Sequence, residues 1–308
     1  MLAVLAPGQG SQTPGFLAPW LESDFARDLV TKWSAAIDLD LVRLGTTADA
    51  DEIRDTANAQ PLLVAGGLIG AATLFAGNDS AISYVAGHSV GEITAAALAQ
   101  IIDGDTALSL VRTRGLEMAK AAPNTNTGMS AVLGGERDVV VAALHELGLT
   151  PANENGAGQI VAAGSLDALA KLADNPPAGA RVRALAVSGA FHTSTMQPAV
   201  AALAAKVASA TIAEPKLSIL SNKDGAVVAS GEEMMSRIVG QVAGPVRWDL
   251  CMETLAKLGV TGVIEVPPAG TLVGLVKRAA PDIETFALKS PEDLSAAKEF
   301  VAKHGGNS

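Results

Sequence analysis

The run Gly87-His88-Ser89-Val90-Gly91 could present a nucleophile. It follows an apolar run from Ala81 to Ala86 and precedes a helix-like stretch from Glu92 to Ile102. That order matches a nucleophile elbow, in which small residues flanking the serine let the chain turn sharply and expose its hydroxyl. The five-residue pattern is weak by itself in a chain with 31 glycines, and an ordinary turn before a helix is the alternative. A serine nucleophile needs a base. Of the 4 histidines, His88 leaves the same tight turn in a different direction from Ser89, His145 falls in the polar stripe of an amphipathic stretch, and His304 sits in a fraying C-terminus. His192 remains, in Ser188-Gly189-Ala190-Phe191-His192-Thr193 where a strand gives way to a helix. Loops at such junctions carry function in open α/β folds; a helix-capping loop with an incidental histidine is the competing reading. No acidic residue stands out as a third member. Asp249 is a candidate by position, and a backbone carbonyl can also fix the imidazole tautomer, so triad and dyad both stay open.

A second unusual loop, Pro7-Gly8-Gln9-Gly10-Ser11-Gln12, follows the first apolar run. It lacks the third glycine and downstream acid of a dinucleotide fingerprint and the Gly-Lys-Ser/Thr of a P-loop, so phosphate binding explains it poorly. Such a loop can instead offer a backbone N–H to an oxyanion, beside the N–H of the residue after the nucleophile, here Val90. Gln9 fits the first of these places, although a plain strand-to-helix turn accounts for the spacing equally well. Arg112 and Arg114 stand two apart in an otherwise apolar helical stretch, so at most one faces a site. A buried guanidinium needs an anion, which a substrate supplies if the protein does not; a solvated arginine is the default.

The elements that must hold these residues alternate along the chain. A strand over Leu2–Ala6, several helices, a strand over Ile82–Ala86 and helices over Gln60–Phe75, Val90–Ile101 and Asp105–Lys120 imply a parallel sheet covered on both faces. Asp103-Gly104 is the break between the last two helices. The character changes after Pro123-Asn124-Thr125-Asn126. Strands at Ser130–Leu133, Leu149–Glu154, Gln159–Ala163 and Arg181–Val187, with helices at Arg137–Leu147 and Leu166–Ala173, give the order βαββαβ of a split βαβ, ferredoxin-like unit. The earlier style then returns: helix Thr195–Ala210, strand Lys216–Ser221, helices Met234–Val239 and Asp249–Leu258, strand Gly262–Val266 and helix Thr271–Ala279. The expected fold is therefore α/β, with residues 1–125 and 191–308 forming a large domain around a parallel-rich sheet and residues 126–190 an inserted small subdomain. Gly305-Gly306-Asn307-Ser308 reads as a loose tail.

Composition bounds the function. The chain has 308 residues, 49% of them hydrophobic and only 3% aromatic, enough for an ample core built from Ala, Val, Leu and Ile. The N-terminal apolar run meets Pro7-Gly8 too early for a signal peptide, and no uninterrupted apolar run suggests a membrane span. A soluble, cytoplasmic protein with no membrane partner is expected. The single cysteine, Cys251, cannot form an internal disulfide or a cysteine-rich metal site and reads as a small hydrophobe opening a helix. A net charge of -10 argues against nucleic-acid binding; an anionic small molecule would need a local cationic pocket.

Taken together, Gly8-Gln9-Gly10-Ser11-Gln12, Gln60-Pro61, Gly87-His88-Ser89-Val90-Gly91-Glu92, Arg114, Gln159-Ile160-Val161, Gly189-Ala190-Phe191-His192 and Pro245-Val246-Arg247-Trp248 resemble the malonyl-CoA:acyl carrier protein transacylases of fatty-acid synthesis. The motifs follow in order over nearly the whole chain. The resemblance implies a hydrolase-like large domain with a ferredoxin-like insertion and the site in the cleft between them. It implies Ser89 as acylated nucleophile, His192 as its base, Gln241 orienting His192 through its carbonyl, backbone N–H groups of Gln9 and Val90 at the oxyanion, and Arg114, Gln60 and His88 at the substrate, with Arg114 on the malonyl carboxylate. Malonyl-CoA and acyl carrier protein would be the substrates, with no cofactor and no metal, and a monomer is expected. The Gly-Ala-Phe-His form resembles malonyl-selective members rather than methylmalonyl-selective transferase domains of polyketide synthases. Ala6 departs from the pattern where an aromatic often stands, and Pro267-Pro268-Ala269-Gly270 replaces a glycine-proline-glycine loop, which bears on carrier contacts. Lys277 and Arg278, just after that loop, are candidates for a basic patch. A serine esterase or thioesterase with the same elbow, and a noncatalytic carrier-binding scaffold, are the alternative readings.

Overall fold

The computed structural model describes residues 1–122, 126–187 and 189–305. Pro123-Asn124-Thr125 at the composition shift, Ser188 ahead of the His192 loop, and Gly306-Asn307-Ser308 lie outside the described residues. Along the chain, β1 (Leu2–Ala6) leads to α1 (Asp24–Ile37), α2 (Leu41–Thr46), α3 (Thr56–Phe75), β2 (Tyr84–Gly87), α4 (Gly91–Leu98) and α5 (Gly104–Ala121). Next come β3 (Thr127–Gly134), α6 (Arg137–Glu146), β4 (Thr150–Glu154), β5 (Gln159–Ser165), α7 (Leu166–Asp174) and β6 (Ala180–Ala184). The chain continues through α8 (Gln197–Ala208), β7 (Ser218–Leu220), β8 (Val227–Val228), α9 (Gly231–Gln241), β9 (Val246–Arg247), α10 (Trp248–Lys257), β10 (Gly262–Glu265), α11 (Thr271–Ala279), β11 (Glu284–Ala287) and α12 (Leu294–His304).

β1 shows why the larger sheet has a core on each side. Successive strand residues point to opposite faces; Leu2, Val4 and Ala6 enter one apolar cluster, while Ala3 and Leu5 enter another with Ala86, Trp248 and Cys251. A strand apolar on both faces belongs in the middle of a covered parallel sheet. Accordingly β1 pairs in parallel with both β2 and β10 in a 6-stranded sheet ordered β11-β10-β1-β2-β7-β8, where only β8 runs antiparallel to its neighbour. The second sheet, ordered β6-β3-β5-β4-β9, is antiparallel except where β9 joins β4. Its own core, with Val132, Leu144, Ile160 and Leu172, lies under α6 and α7.

α3 passes the length and composition test for a membrane-crossing helix, the one helix to do so among the described residues. Its most apolar stretch is 78% buried within the fold, where it packs with Val111 and Met118 of α5 and Ile93 of α4 in the main core. Helix starts follow local chemistry: Asp55, Asp103, Ser165 and Ser230 each accept an N–H of the first turn of α3, α5, α7 and α9, which satisfies an otherwise orphaned donor. Pro198 in the first turn of α8 is compatible with a helix start, and the helix begins at Gln197 after a separate short turn at Ser194–Met196 rather than at Thr195.

β8, β9, β11 and α12 escaped the sequence reading. β9 is two residues long and exists through pairing with β4, a contact far away in sequence. α12 corrects the expectation for His304: it is 6% exposed, its ring centroid is 4.4 Å from that of Phe300, and its Nδ1 is 3.0 Å from Thr261 Oγ1. The terminus is held down rather than frayed through Gly305.

Candidate active site

Ser89 sits in the turn between β2 and α4 with φ of 53°, a left-handed conformation costly for a residue with a Cβ. The glycines on either side are required by space. A Cβ on Gly87 would fall 2.0 Å from the carbonyl of Gly91, and one on Gly91 would fall 2.2 Å from the Ala6 carbonyl oxygen. The turn is anchored from the turn after β7: Ser89 N–H donates to Asn222 Oδ1 at 2.8 Å, and Asn222 Nδ2 donates to the Gly87 carbonyl at 2.8 Å.

The hydroxyl faces the expected partners. Ser89 Oγ lies 2.8 Å from His192 Nε2, and His192 Nδ1 lies 2.8 Å from the backbone carbonyl of Gln241 at the end of α9. A carbonyl only accepts, so Nδ1 carries the proton and Nε2 presents its lone pair to Ser89. Burial and then the neighbouring Arg114 charge push the His192 imidazole down to about 3, so it is neutral and able to accept a proton at ordinary pH. Asp249 is not its partner. That carboxylate forks onto Arg247 at 2.9 and 2.8 Å.

Arg114 on α5 is 1% exposed and donates from Nη2 to Ser89 Oγ and to Gln241 Oε1, both at 3.2 Å. Its Nε and Nη1 are buried and have no hydrogen-bond partner among the described residues. A guanidinium normally spends its donors when buried; here burial lowers it to about 10, opposed by the charge of Glu92. Arg112, on another face of α5, instead donates to the Ala57 carbonyl at 3.0 Å. Met118, one turn beyond Arg114, lines the cleft and lies 3.5 Å from Gln60 Nε2, and Gln60 Oε1 is buried without a partner among the described residues.

The cleft, about 570 Å³, is lined on one side by Gln9, Gln60, His88, Ser89 and His192 and on the other by Met129, Asn153, Asn155, Val161 and Leu185 of the smaller sheet and its flanks. Arg114 is under this lining and meets the cleft through Ser89 Oγ. Backbone N–H groups of Gln9 and Val90 have no acceptor among the described residues, whereas the Gln9 side chain is occupied with Thr56 Oγ1 at 3.2 Å. His88 turns away from Ser89, its Nε2 2.8 Å from Asn155 Oδ1 and its ring edge-on to Trp248 at 5.8 Å; burial lowers its pKa. Arg278 reaches the cleft lining and Lys277 is exposed beside it. Cys251 is buried as expected, its Sγ 3.5 Å from the Ser221 carbonyl.

Sequence reasoning missed Asn222, Asn155 and the position of Glu92. Glu92 belongs to the elbow motif, and its first-turn place on α4 was the available signal. Asn222 and Asn155 lie 133 and 67 residues from their partners, and nothing local marks them.

This arrangement of elbow serine, neutral imidazole and spare buried guanidinium is that of an enzyme acting on acyl groups, and the acyl transferase domain family matches residues 4–292. Over 299 residues the chain is 54% identical to the malonyl CoA-acyl carrier protein transacylase of Mycobacterium tuberculosis, covering 96% of this chain and 98% of that one. The crystal structure of that organism's MCAT superposes with a TM-score of 0.93 at 53% identity, covering 97% of this chain and 99% of that one. A type II PKS acyl-carrier protein in complex with its malonyl-transacylase matches at 29% identity and a TM-score of 0.90, over 97% of this chain and 99% of that one. The chain belongs to the malonyl CoA-acyl carrier protein transacylases.

Proposed function

We propose that the protein moves a malonyl group from malonyl-CoA to the phosphopantetheine thiol of acyl carrier protein through a malonyl ester on Ser89, supplying fatty-acid elongation. The observation that carries this reading is the joint placement of Ser89 Oγ, 2.8 Å from His192 Nε2 and 3.2 Å from Arg114 Nη2, with two further Arg114 nitrogens unpartnered. An acyl group formed on Oγ starts within one hydrogen bond of a guanidinium that still has donors to give, which suits an acyl chain ending in a carboxylate.

In the first half-reaction His192 Nε2 accepts the Ser89 proton as Oγ attacks the thioester carbonyl. The backbone N–H groups of Gln9 and Val90 support the oxyanion. As the tetrahedral intermediate collapses, the C–S bond breaks and the proton on Nε2 passes to the departing coenzyme A sulfur. The carrier thiol then attacks the ester, gives its proton to His192, and Oγ takes that proton back as the C–O bond breaks. The Gln241 carbonyl holds the imidazolium through Nδ1–H in each half. Gln60 and His88 complete the substrate wall, Gln60 with a spare buried acceptor and His88 by bracing the turn against Asn155. No cofactor or metal enters this scheme.

We divide the chain into a hydrolase-like large domain, residues 1–125 and 191–308, and a ferredoxin-like insertion, residues 126–190. The strand order β6-β3-β5-β4 with α6 and α7 on one face supports the second half of that division. A cytoplasmic monomer is the corresponding cellular form. Mass spectrometry after brief exposure to malonyl-CoA tests the mechanism: a malonyl adduct on Ser89 that persists until a thiol is added is expected. Absence of an adduct on Ser89 refutes the covalent route, and rapid loss to water would favour a thioesterase.

A further inference from the structure

Behind the nucleophile lies a buried carboxylate that the reaction itself does not use. Glu92, 1% exposed in the first turn of α4, accepts from the Asn222 backbone N–H on Oε1 at 2.6 Å and from Gln241 Nε2 on Oε2. The same Gln241 Nε2 donates to Asn222 Oδ1 at 3.2 Å. Both hydrogens of that amide are thereby spent, so its Oε1 is turned toward Arg114 Nη2. The main chain of Gln241, meanwhile, holds His192. One residue thus serves two partners by different routes, and only the side-chain route begins at Glu92.

We propose that Glu92 is a positioning residue for acyl-group selectivity: its carboxylate fixes the orientation of the Gln241 amide, and the amide oxygen aims the Arg114 guanidinium at the acyl carboxylate. The counter-charge stands one amide away from the arginine instead of against it. A direct ion pair would occupy the guanidinium donors; this relay balances the buried charge and leaves Nε and Nη1 free. Glu92 is also fitted to its partners as an acceptor. Burial raises its carboxyl to about 8, opposed chiefly by the Asn222 N–H and the Arg114 charge, and an N–H is donated to each of its oxygens.

The inference rests on Arg114 holding the malonyl carboxylate, and its test separates the two. In Glu92→Gln, the new amide can keep its oxygen on the Asn222 N–H but must then set its NH2 against the NH2 of Gln241. Relieving that conflict turns the Gln241 NH2 toward Arg114, donor against donor. Acylation rates of Ser89 are measured with malonyl-CoA and with acetyl-CoA, which lacks the distal carboxylate, for the wild type, Glu92→Gln, Glu92→Asp and Arg114→Ala. The malonyl-to-acetyl ratio is expected to fall on the order of tenfold to a hundredfold in Glu92→Gln, the size of one lost hydrogen bond to a charged group. Glu92→Asp, which keeps a carboxylate, should preserve the ratio even where both rates drop. A ratio unchanged in Glu92→Gln, or lost to the same extent in Glu92→Asp, overturns the proposal. Should Glu92→Gln fail to fold, Gln241→Met, which keeps the main-chain carbonyl on His192 and removes the amide oxygen from Arg114, is measured in its place, and an unchanged ratio there overturns the proposal. If Arg114→Ala leaves the ratio unchanged, the underlying reading of Arg114 fails instead.

Discussion

Arg114→Ala is the perturbation that most directly probes why the acyl group should carry a carboxylate. In the free site the guanidinium gives Nη2 to Ser89 Oγ and Gln241 Oε1 and keeps Nε and Nη1 unpartnered in a buried setting. A malonyl carboxylate can take one spare donor, Nε or Nη1, together with Nη2 as a forked pair, since Nε–H and Nη1 point to opposite sides of the guanidinium. At about 1.5–3 kcal/mol for each hydrogen bond to a charged group, the pair stabilises malonyl acylation by about 3–6 kcal/mol. Their loss should lower kcat/KM for malonyl-CoA by roughly 10²- to 10⁴-fold. Acetyl-CoA brings no carboxylate, and in the wild type it leaves those donors buried and unsatisfied, so its kcat/KM should fall only through the lost contact with Ser89 Oγ, on the order of tenfold. The assay is acyl transfer to carrier protein with each thioester, read alongside the acyl-Ser89 adduct and a thermal melt of each variant. Arg114→Lys should fall between wild type and alanine for malonyl, since an ammonium keeps the charge without the planar fork. Equal losses for malonyl and acetyl would show that Arg114 only supports the serine and would remove it from substrate recognition.

Other outcomes follow from the same geometry. Burial holds His192 neutral down to about 3 against an ordinary 6.5; a depressed folded-state value means the unfolded chain binds the proton first. Folding stability should therefore decline as pH falls below about 6.5 and continue declining toward 3, by a few kcal/mol in all, and thermal melts of His192→Gln across that window should show a shallower decline. Asp249→Asn should leave the rate of Ser89 acylation within about threefold of wild type, because that carboxylate binds Arg247 and not the base; a loss near 10⁴-fold in kcat would restore it as a triad member. Reversing charge at Lys277 and Arg278, exposed at the end of α11 beside the cleft, should raise KM for carrier protein and leave Ser89 acylation by malonyl-CoA little changed; an unchanged carrier KM removes them from the docking surface.

What the chain revealed in advance, and what it withheld, divides along sequence separation. The boundaries of β1 and α11 were readable to the residue, since an apolar run beside Pro7-Gly8 and a helix framed by Gly270 and Ala280 are decided locally. The βαββαβ order from β3 to β6 was readable for the same reason, because each turn signal lies within a few residues of the element it ends. Ser89, His192 and Arg114 were legible as candidates through residue type and place in an element. Their convergence was legible only as resemblance. β9 illustrates the limit: two residues become a strand because β4 lies alongside them, and no property of Val246-Arg247 alone records that.

The same limit explains why the polar network behind the elbow was hidden. Polar side chains are usually exposed, so Asn222 reads as unremarkable until burial is known, while Gln241 and Glu92 stand out only through the family resemblance. Once buried, each donor and acceptor must find a partner, and that obligation makes them informative. Asn222 Oδ1 holds the Ser89 N–H, the Gln241 carbonyl holds His192, and Glu92 ties the two amides together. The atoms left without partners around this network, Arg114 Nε and Nη1 with Gln60 Oε1 nearby under the cleft, are then exceptions to that rule. Among the buried side-chain atoms without a partner in the described residues, the two on Arg114 stand beside Ser89 Oγ, and these unspent donors are the strongest physical argument that the acyl group arriving on Ser89 brings an acceptor of its own.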